Sequence, residues 1–265
     1  MYGIPLLTEF VRRLLSRVAP QELCVVEIAS GPLTGWHMKL DLKTEKYYWL
    51  GTYEQGMEAA LADFVRQGDI VYDIGANIGY FSLIFARKVG SEGQIFAFEP
   101  LPENIERLQE NLMLNHREDN VTVVSSAVSD STGTEEFLVH SLHSMGKLAG
   151  VNGRNTKYQR SVIVKSLTID GFIYDEGKPA PDIVKMDIEG GEVKAIRGMT
   201  RLLSDKKPII LLELHGPDAA RVVWDTIKEG DYELCHLRPG YPPCNSITQL
   251  NWREHVVALP KSVSC

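Results

Sequence analysis

Apolar positions along this chain recur in two rhythms. Near the start, Leu6, Leu7, Phe10, Val11, Leu14, Leu15 and Val18 fall three and four residues apart, the spacing of one helix face. Two β-like runs follow, Leu23 to Ile28 and Trp36 to Leu42, flanking the turn formers Ser30, Gly31, Pro32 and Gly35. They predict a hairpin. Glu54 to Val65 is again helical, with Gly68 as its stop. From Asp69 the rhythm changes. Strands are expected at 70–74, 94–98, 121–124, 183–186, 208–214, 232–237 and 255–259, with helices at 80–89, 103–115, 192–203 and 219–229 between them. This alternation implies βαβ units and a parallel sheet covered on both faces. Ligands on such sheets lie at the carboxyl ends of the strands.

One region interrupts the alternation. Strands are expected at 135–139 and 161–165, and Ser141 to Arg160 between them reads as a polar loop carrying Lys147, Arg154, Lys157 and Arg160 without an acid. Either a solvated loop or a substrate lid fits. The whole chain has 265 residues, so it is one large domain or two small ones, and its 28 bases against 35 acids leave a net charge of −7. That balance opposes a nucleic-acid-coating role. The longest stretch free of Asp, Glu, Lys and Arg, Pro239 to Trp252, is 14 residues and polar, whereas a membrane span needs about 20 apolar residues. Arg12, Arg13 and Arg17 interrupt the apolar residues at the start, unlike a signal peptide. Cys24, Cys235, Cys244 and Cys265 form no CxxC pair, which argues against structural zinc and for a reduced, cytoplasmic protein.

The candidate chemistry sits at the strand ends. Asp73-Ile-Gly-Ala-Asn-Ile-Gly-Tyr-Phe81 turns a strand into a helix, with Gly75 and Gly79 leaving bare backbone for a ligand. It lacks the Gly-x-Gly-x-x-Gly spacing of a dinucleotide loop, since Asn77 and Tyr80 occupy the later glycine positions. Asp73 would repel a pyrophosphate and suit a cationic ligand such as S-adenosylmethionine (SAM). Glu99 ends the next strand, 24 residues after Gly75, where an acid can accept from both ribose hydroxyls. Ser125 to Asp130 follow the third strand; taken alone they read as an ordinary turn, though small side chains such as Ser126 and Ala127 there also fit an adenine edge. Lys185, Asp187 and Glu189 alternate with apolar residues, and Glu213 and His215 repeat that period on the next strand. A shared crevice or a structural ion network are the alternatives. Asp187, Glu189 and Glu213 could together hold a divalent ion, though nothing demands one. His37, His116, His236 and His255 belong to no constellation, and Tyr47, Tyr48, Trp49 and Tyr53 read as N-terminal packing or as a wall of the site.

These segments resemble the FkbM-type family of SAM-dependent methyltransferases, within the Rossmann-like methyltransferase superfamily. The match is carried by Asp73 to Ser82, Phe98-Glu-Pro-Leu-Pro-Glu-Asn104 continuing to Asn111 and Asn115, Ala127 to Asp130, and Lys185-Met-Asp-Ile-Glu-Gly190 with Glu192. The expected fold is therefore α/β, a Rossmann-like, doubly wound, mostly parallel seven-stranded sheet with helices on both faces. An N-terminal helix and hairpin cap (1–54) would precede a methyltransferase domain (55–265). The resemblance implies SAM binding by Asp73, Gly75, Ala76, Asn77, Gly79, Tyr80, Phe81 and Pro100, with Glu99 at the ribose and Ser126 and Ala127 at adenine. Asn104 would support the pocket. It also implies O-methylation of a sugar, glycan or natural-product hydroxyl, with S-adenosylhomocysteine as product. Asp187, also beside the cofactor, is the first choice for general base, then Glu189 or His215, while Lys185 could orient a carboxylate or stabilise an alkoxide. The basic loop leaves an acidic acceptor, a uronic acid or phosphorylated glycan, open. No nucleic-acid partner is expected, and an oligomer is left open. A nicotinamide-dependent oxidoreductase and a non-catalytic SAM-binding module are the rival readings.

Overall fold

In the computed structural model, residues 22–140, 146–151, 158–251 and 253–262 are described. The N-terminal helix expected over Leu6 to Val18 lies outside them. Strands β1 (Cys24–Glu27) and β2 (His37–Leu40) form the expected hairpin, with an antiparallel register that pairs Cys24 with Leu40. After a short helix, Lys46–Trp49, and a longer one, Gln55–Phe64, the alternation begins. The strands are β3 (Ile70–Ile74), β4 (Gln94–Phe98), β5 (Val121–Val124), β6 (Ala127–Val128), β7 (Gly133–Val139), β8 (Lys147–Leu148), β9 (Arg160–Leu167), β10 (Ile183–Met186), β11 (Ile209–Glu213), β12 (Tyr232–His236) and β13 (His255–Pro260).

Seven of these strands make one sheet in the order β12-β13-β11-β10-β3-β4-β5. Its strands run parallel except β13, which is antiparallel to both β11 and β12. The two-residue side-chain period divides each strand between two cores. Val71, Ile95, Ile183, Leu211 and Val257 pack with helices Gln55–Phe64 and Tyr80–Val89. Tyr72, Phe96, Val184, Leu212 and Val256 pack on the other face, with helices Glu192–Arg197, Thr200–Asp205 and Pro217–Glu229. This is the doubly wound arrangement expected of the sequence.

A second sheet, β6-β9-β7-β8, stands beside it around Leu101, Ala127, Phe137, Val139, Leu148 and Val164. It corrects the reading of Ser141 to Arg160 as loop throughout, because Lys147 and Leu148 pair with Leu138 and Phe137. The local sequence, Gly-Lys-Leu-Ala-Gly, is too short to show a strand without its partner. The single helix expected over 192–203 is broken in two around Gly198. A Cβ there would stand 2.0 Å from the Ser129 carbonyl oxygen, so the break lets two backbones meet. The helix ahead of Gly68 stops at Phe64, with Val65 already extended.

Helix Pro102–Met113 anchors the hairpin. Buried Asn111 accepts from the Lys39 amide at 2.7 Å and donates to the Ile78 carbonyl at 2.8 Å. Arg107 donates to the Lys39 carbonyl at 2.8 Å and pairs with Glu45 at 2.7 Å. Asn115 exchanges two bonds with the His37 backbone. Among the described residues no helix is long and apolar enough to cross a membrane.

Candidate active site

The carboxyl ends of β3, β4 and β10 open onto one cavity. Gly75, Asn77, Glu99, Pro100, Asn104, Ser126, Ala127, Asp187 and Glu189, all singled out in the sequence, line it. Tyr53 lines it as well. Ala76, Tyr80, Phe81 and Lys185 line a smaller pocket next door, which shares Tyr53, Gly75, Asn77 and Asp187 with the first. The Gly loop forms because the chain must reverse within a few residues while passing close to β10. Gly75 has φ +80, and a Cβ on it would stand 2.0 Å from the Asp187 carbonyl oxygen. The amides of Gly75 and Ala76 both donate to Phe98 at 3.0 Å, which ties the loop to β4.

Glu99 is fully enclosed at the cavity wall. It accepts from the Asn77 amide at 3.0 Å, the Leu101 amide at 2.9 Å and the Asn104 side chain at 3.2 Å. Burial pushes its carboxyl up to about 7, against the pull of those donors and of Lys185. A carboxylate has about four acceptor positions, so one remains for a ligand hydroxyl.

Asp73 is fully buried and does not line the cavity. It lies beneath the loop, where Ser82 donates to its Oδ2 at 2.6 Å and Lys185 Nζ stands 3.3 Å from its Oδ1. The β3–β10 register pairs Asp73 with Lys185, which puts both on one face of the sheet. Lys185 also donates to the Gly75 carbonyl at 3.2 Å and lies 5.1 Å from the Phe81 ring centre. Burial works against its charge, but Asp73, Asp187 and Glu54 hold its pKa above the usual lysine range. Its ammonium is thus engaged in holding the loop. Gly79 stays below the wall too, its missing Cβ making room for Leu108.

The second group centres on His215, 1% exposed. Its Nδ1 is 2.8 Å from Glu192 Oε1. Its Nε2 has Glu213 at 3.3 Å, Glu189 at 3.6 Å and Asp187 at 3.8 Å. Burial opposes the imidazolium, yet Glu192, Glu213 and Asp187 push its pKa up to about 11. Burial also raises Asp187, to about 7, with Glu213 and Glu54 adding to it and Lys185 and His215 opposing.

His255, which stood alone in the sequence, joins this group. It lies 3.4 Å from Glu54 and 3.7 Å from Glu213, because β13 returns antiparallel and pairs it with Glu213. Glu54 and Tyr53 come from the connection between two N-terminal helices and had no local signal beyond the aromatic cluster. Tyr53 meets Tyr48 edge-to-face with ring centres 4.6 Å apart, and Tyr48 packs tilted on Tyr80 at 4.8 Å. Of the loop bases, Lys147 donates to the Val151 carbonyl at 3.1 Å and Arg160 pairs with Glu103. Arg154 and Lys157 lie outside the described residues.

Comparison with known proteins places these segments in context. A family model described as the methyltransferase FkbM domain matches residues 73–234. Hexuronic acid methyltransferase AglP of Haloferax volcanii is 27% identical over 162 residues, 61% of this chain and 62% of its own. The 31-O-demethyl-FK506 methyltransferase FkbM of Streptomyces tacrolimicus is 26% identical over 182 residues, 59% of this chain and 69% of its own. The chain thus spans less than two thirds of the first of these relatives. A crystal structure of the methyltransferase FkbM from Methylobacillus flagellatus aligns over 95% of this chain and 58% of its own, at 15% identity and a TM-score of 0.49.

Proposed function

This chain belongs to the FkbM methyltransferase family, and from that premise we propose that it transfers a methyl group from SAM to a hydroxyl oxygen of a sugar, glycan or natural-product acceptor. The observation that carries the reading is the single cavity in which Gly75, Asn77, Glu99, Asn104, Ser126 and Ala127 meet the carboxylates of Asp187 and Glu189. Gly75 and Asn77 border the cofactor space at the end of β3. Glu99 takes a ribose hydroxyl, held in place by Asn77, Leu101 and Asn104. Ser126 and Ala127 border the adenine end. Asp73 and Lys185 support the loop from below.

SAM supplies an electrophilic methyl on a sulfonium. The chain's part is to align an acceptor oxygen in line with it, at an approach of about 3 Å. Asp187, beside the loop and on both pockets, takes the hydroxyl proton as the O–C bond forms and the C–S bond breaks. Glu189 and His215 are the next candidates for that role. Tyr48 and Tyr53 extend the wall from the N-terminal side, which supports residues 1–54 as a cap on a catalytic domain of 55–265. The names of the two relatives support a sugar or natural product as acceptor class.

Calorimetry with SAM, S-adenosylhomocysteine and NAD tests the cofactor. We expect one SAM or one S-adenosylhomocysteine per chain and no NAD; NAD binding without SAM would sink the reading. A panel of hydroxylated acceptors with labelled SAM, uronic acids included, tests the reaction. SAM binding with no transfer to any of them would favour a non-catalytic module.

A further inference from the structure

The cluster around His215 contains a buried nitrogen ringed by carboxylates. Glu192, itself fully buried, holds Nδ1 at 2.8 Å and accepts from the Gly190 amide at 3.2 Å. The ring is thereby fixed with Nε2 turned the other way. That nitrogen is buried and makes no hydrogen bond of good geometry. Yet three carboxylates from three different positions surround it, at 3.3, 3.6 and 3.8 Å. One donor atom from each of Asp187, Glu189 and His215 lies within 4.8 Å of the others.

The two longer separations exceed hydrogen-bond distance. They suit neighbouring ligands of one ion, since six ligands about 2.1 Å from a cation stand about 3 Å apart when adjacent and about 4.2 Å when opposite. The placement of Glu192 agrees independently, because a histidine that binds metal through one nitrogen usually gives its other N–H to a carboxylate. Glu213 is shared: its Oε1 faces His215 and its Oε2 faces His255. The nearest ammonium, Lys185, is held by Asp73 and the Gly75 carbonyl.

We propose that Asp187, Glu189 and His215, with Glu213 beside them, bind one divalent cation at the wall of the cofactor cavity. Three carboxylates and one imidazole suit Mn2+ better than the softer thiolate-seeking ions. Its role in catalysis rests on the methyltransferase reading. A cation there would take the acceptor oxygen at an open position and ease loss of its proton. A singly coordinated Asp187 keeps its second oxygen to receive that proton.

The test is a titration of chelator-treated full-length protein with MnCl2, read by the electron paramagnetic resonance of free Mn2+, with no SAM present. We expect one Mn2+ per chain. Glu189→Gln and His215→Gln should each weaken it at least tenfold, and Asp231→Asn, at an exposed acid far from the site, should leave it unchanged. Pulsed resonance on the wild type needs no variant and should show nitrogen coupling from a directly bound imidazole. No uptake, uptake that both variants retain, or bound Mn2+ without nitrogen coupling would each overturn the site. SAM binding is measured separately in chelator. SAM binding without Mn2+ uptake removes the cation and leaves the methyltransferase reading, while Mn2+ uptake without SAM binding does the reverse.

Discussion

Glu99 shows how one enclosed carboxylate sets a pH response. Its pKa is pushed up to about 7 by burial, and only the ionised form accepts a ribose hydroxyl with full strength. SAM affinity should therefore fall as pH drops below about 7 and level off above it. Calorimetry between pH 5.5 and 8.5 checks this, and a flat profile would take Glu99 off the ribose. Glu99→Gln should weaken SAM roughly tenfold or more, the worth of one charged hydrogen bond, and remove the pH dependence. Asp187→Asn addresses the chemistry instead. Turnover should fall about 10²- to 10⁴-fold, the range for a lost general base, with the SAM dissociation constant within a few-fold of wild type. Unchanged turnover would remove Asp187 as base, and lost SAM affinity would assign it to the cofactor wall. Sequence spacing had already picked out both carboxylates. It had not shown that Asp73 lies beneath the loop, because a carboxylate's partner across a sheet is set by register.

Two elements carry the geometry of the cavity. The Gly75 turn brings β3 against β10, and Gly75→Ala would drive a methyl into the Asp187 carbonyl at a positive φ. We expect a strain of about 1–3 kcal/mol, seen as a lower melting temperature, together with loss of SAM binding. Normal SAM affinity in this variant would show that the loop is not the cofactor cradle. Helix Pro102–Met113 is the second element. Asn111→Ala leaves the Lys39 amide and the Ile78 carbonyl without their buried partner, at a cost of about 1–3 kcal/mol. Urea denaturation measures this, and no change would mean the hairpin is not held through Asn111. This helix was readable from its apolar spacing, and Asn104, Asn111 and Asn115 from the family resemblance. That Asn111 ties the hairpin to the Gly loop was not, since its partners are 33 and 72 residues away.

Across the whole molecule, the seven strands of the main sheet and the loops at their ends were legible in the chain. Period-two runs and glycine spacing are local properties, and βαβ alternation leaves few ways to arrange them. The sequence alone therefore determined the α/β class and marked the Gly loop and Glu99, which the fold brings to one cavity. It did not reveal β8, whose two residues become a strand only against β7, or the break at Gly198, where the Ser129 backbone comes close. Only the tertiary structure decided that Glu54 and His255 join Glu213 beside His215. The order β12-β13-β11-β10-β3 brings Glu54, Glu213 and His255 together from three distant stretches of chain. Charges that repel or attract across a few ångströms in the fold are far apart along the sequence, and no periodicity encodes their meeting.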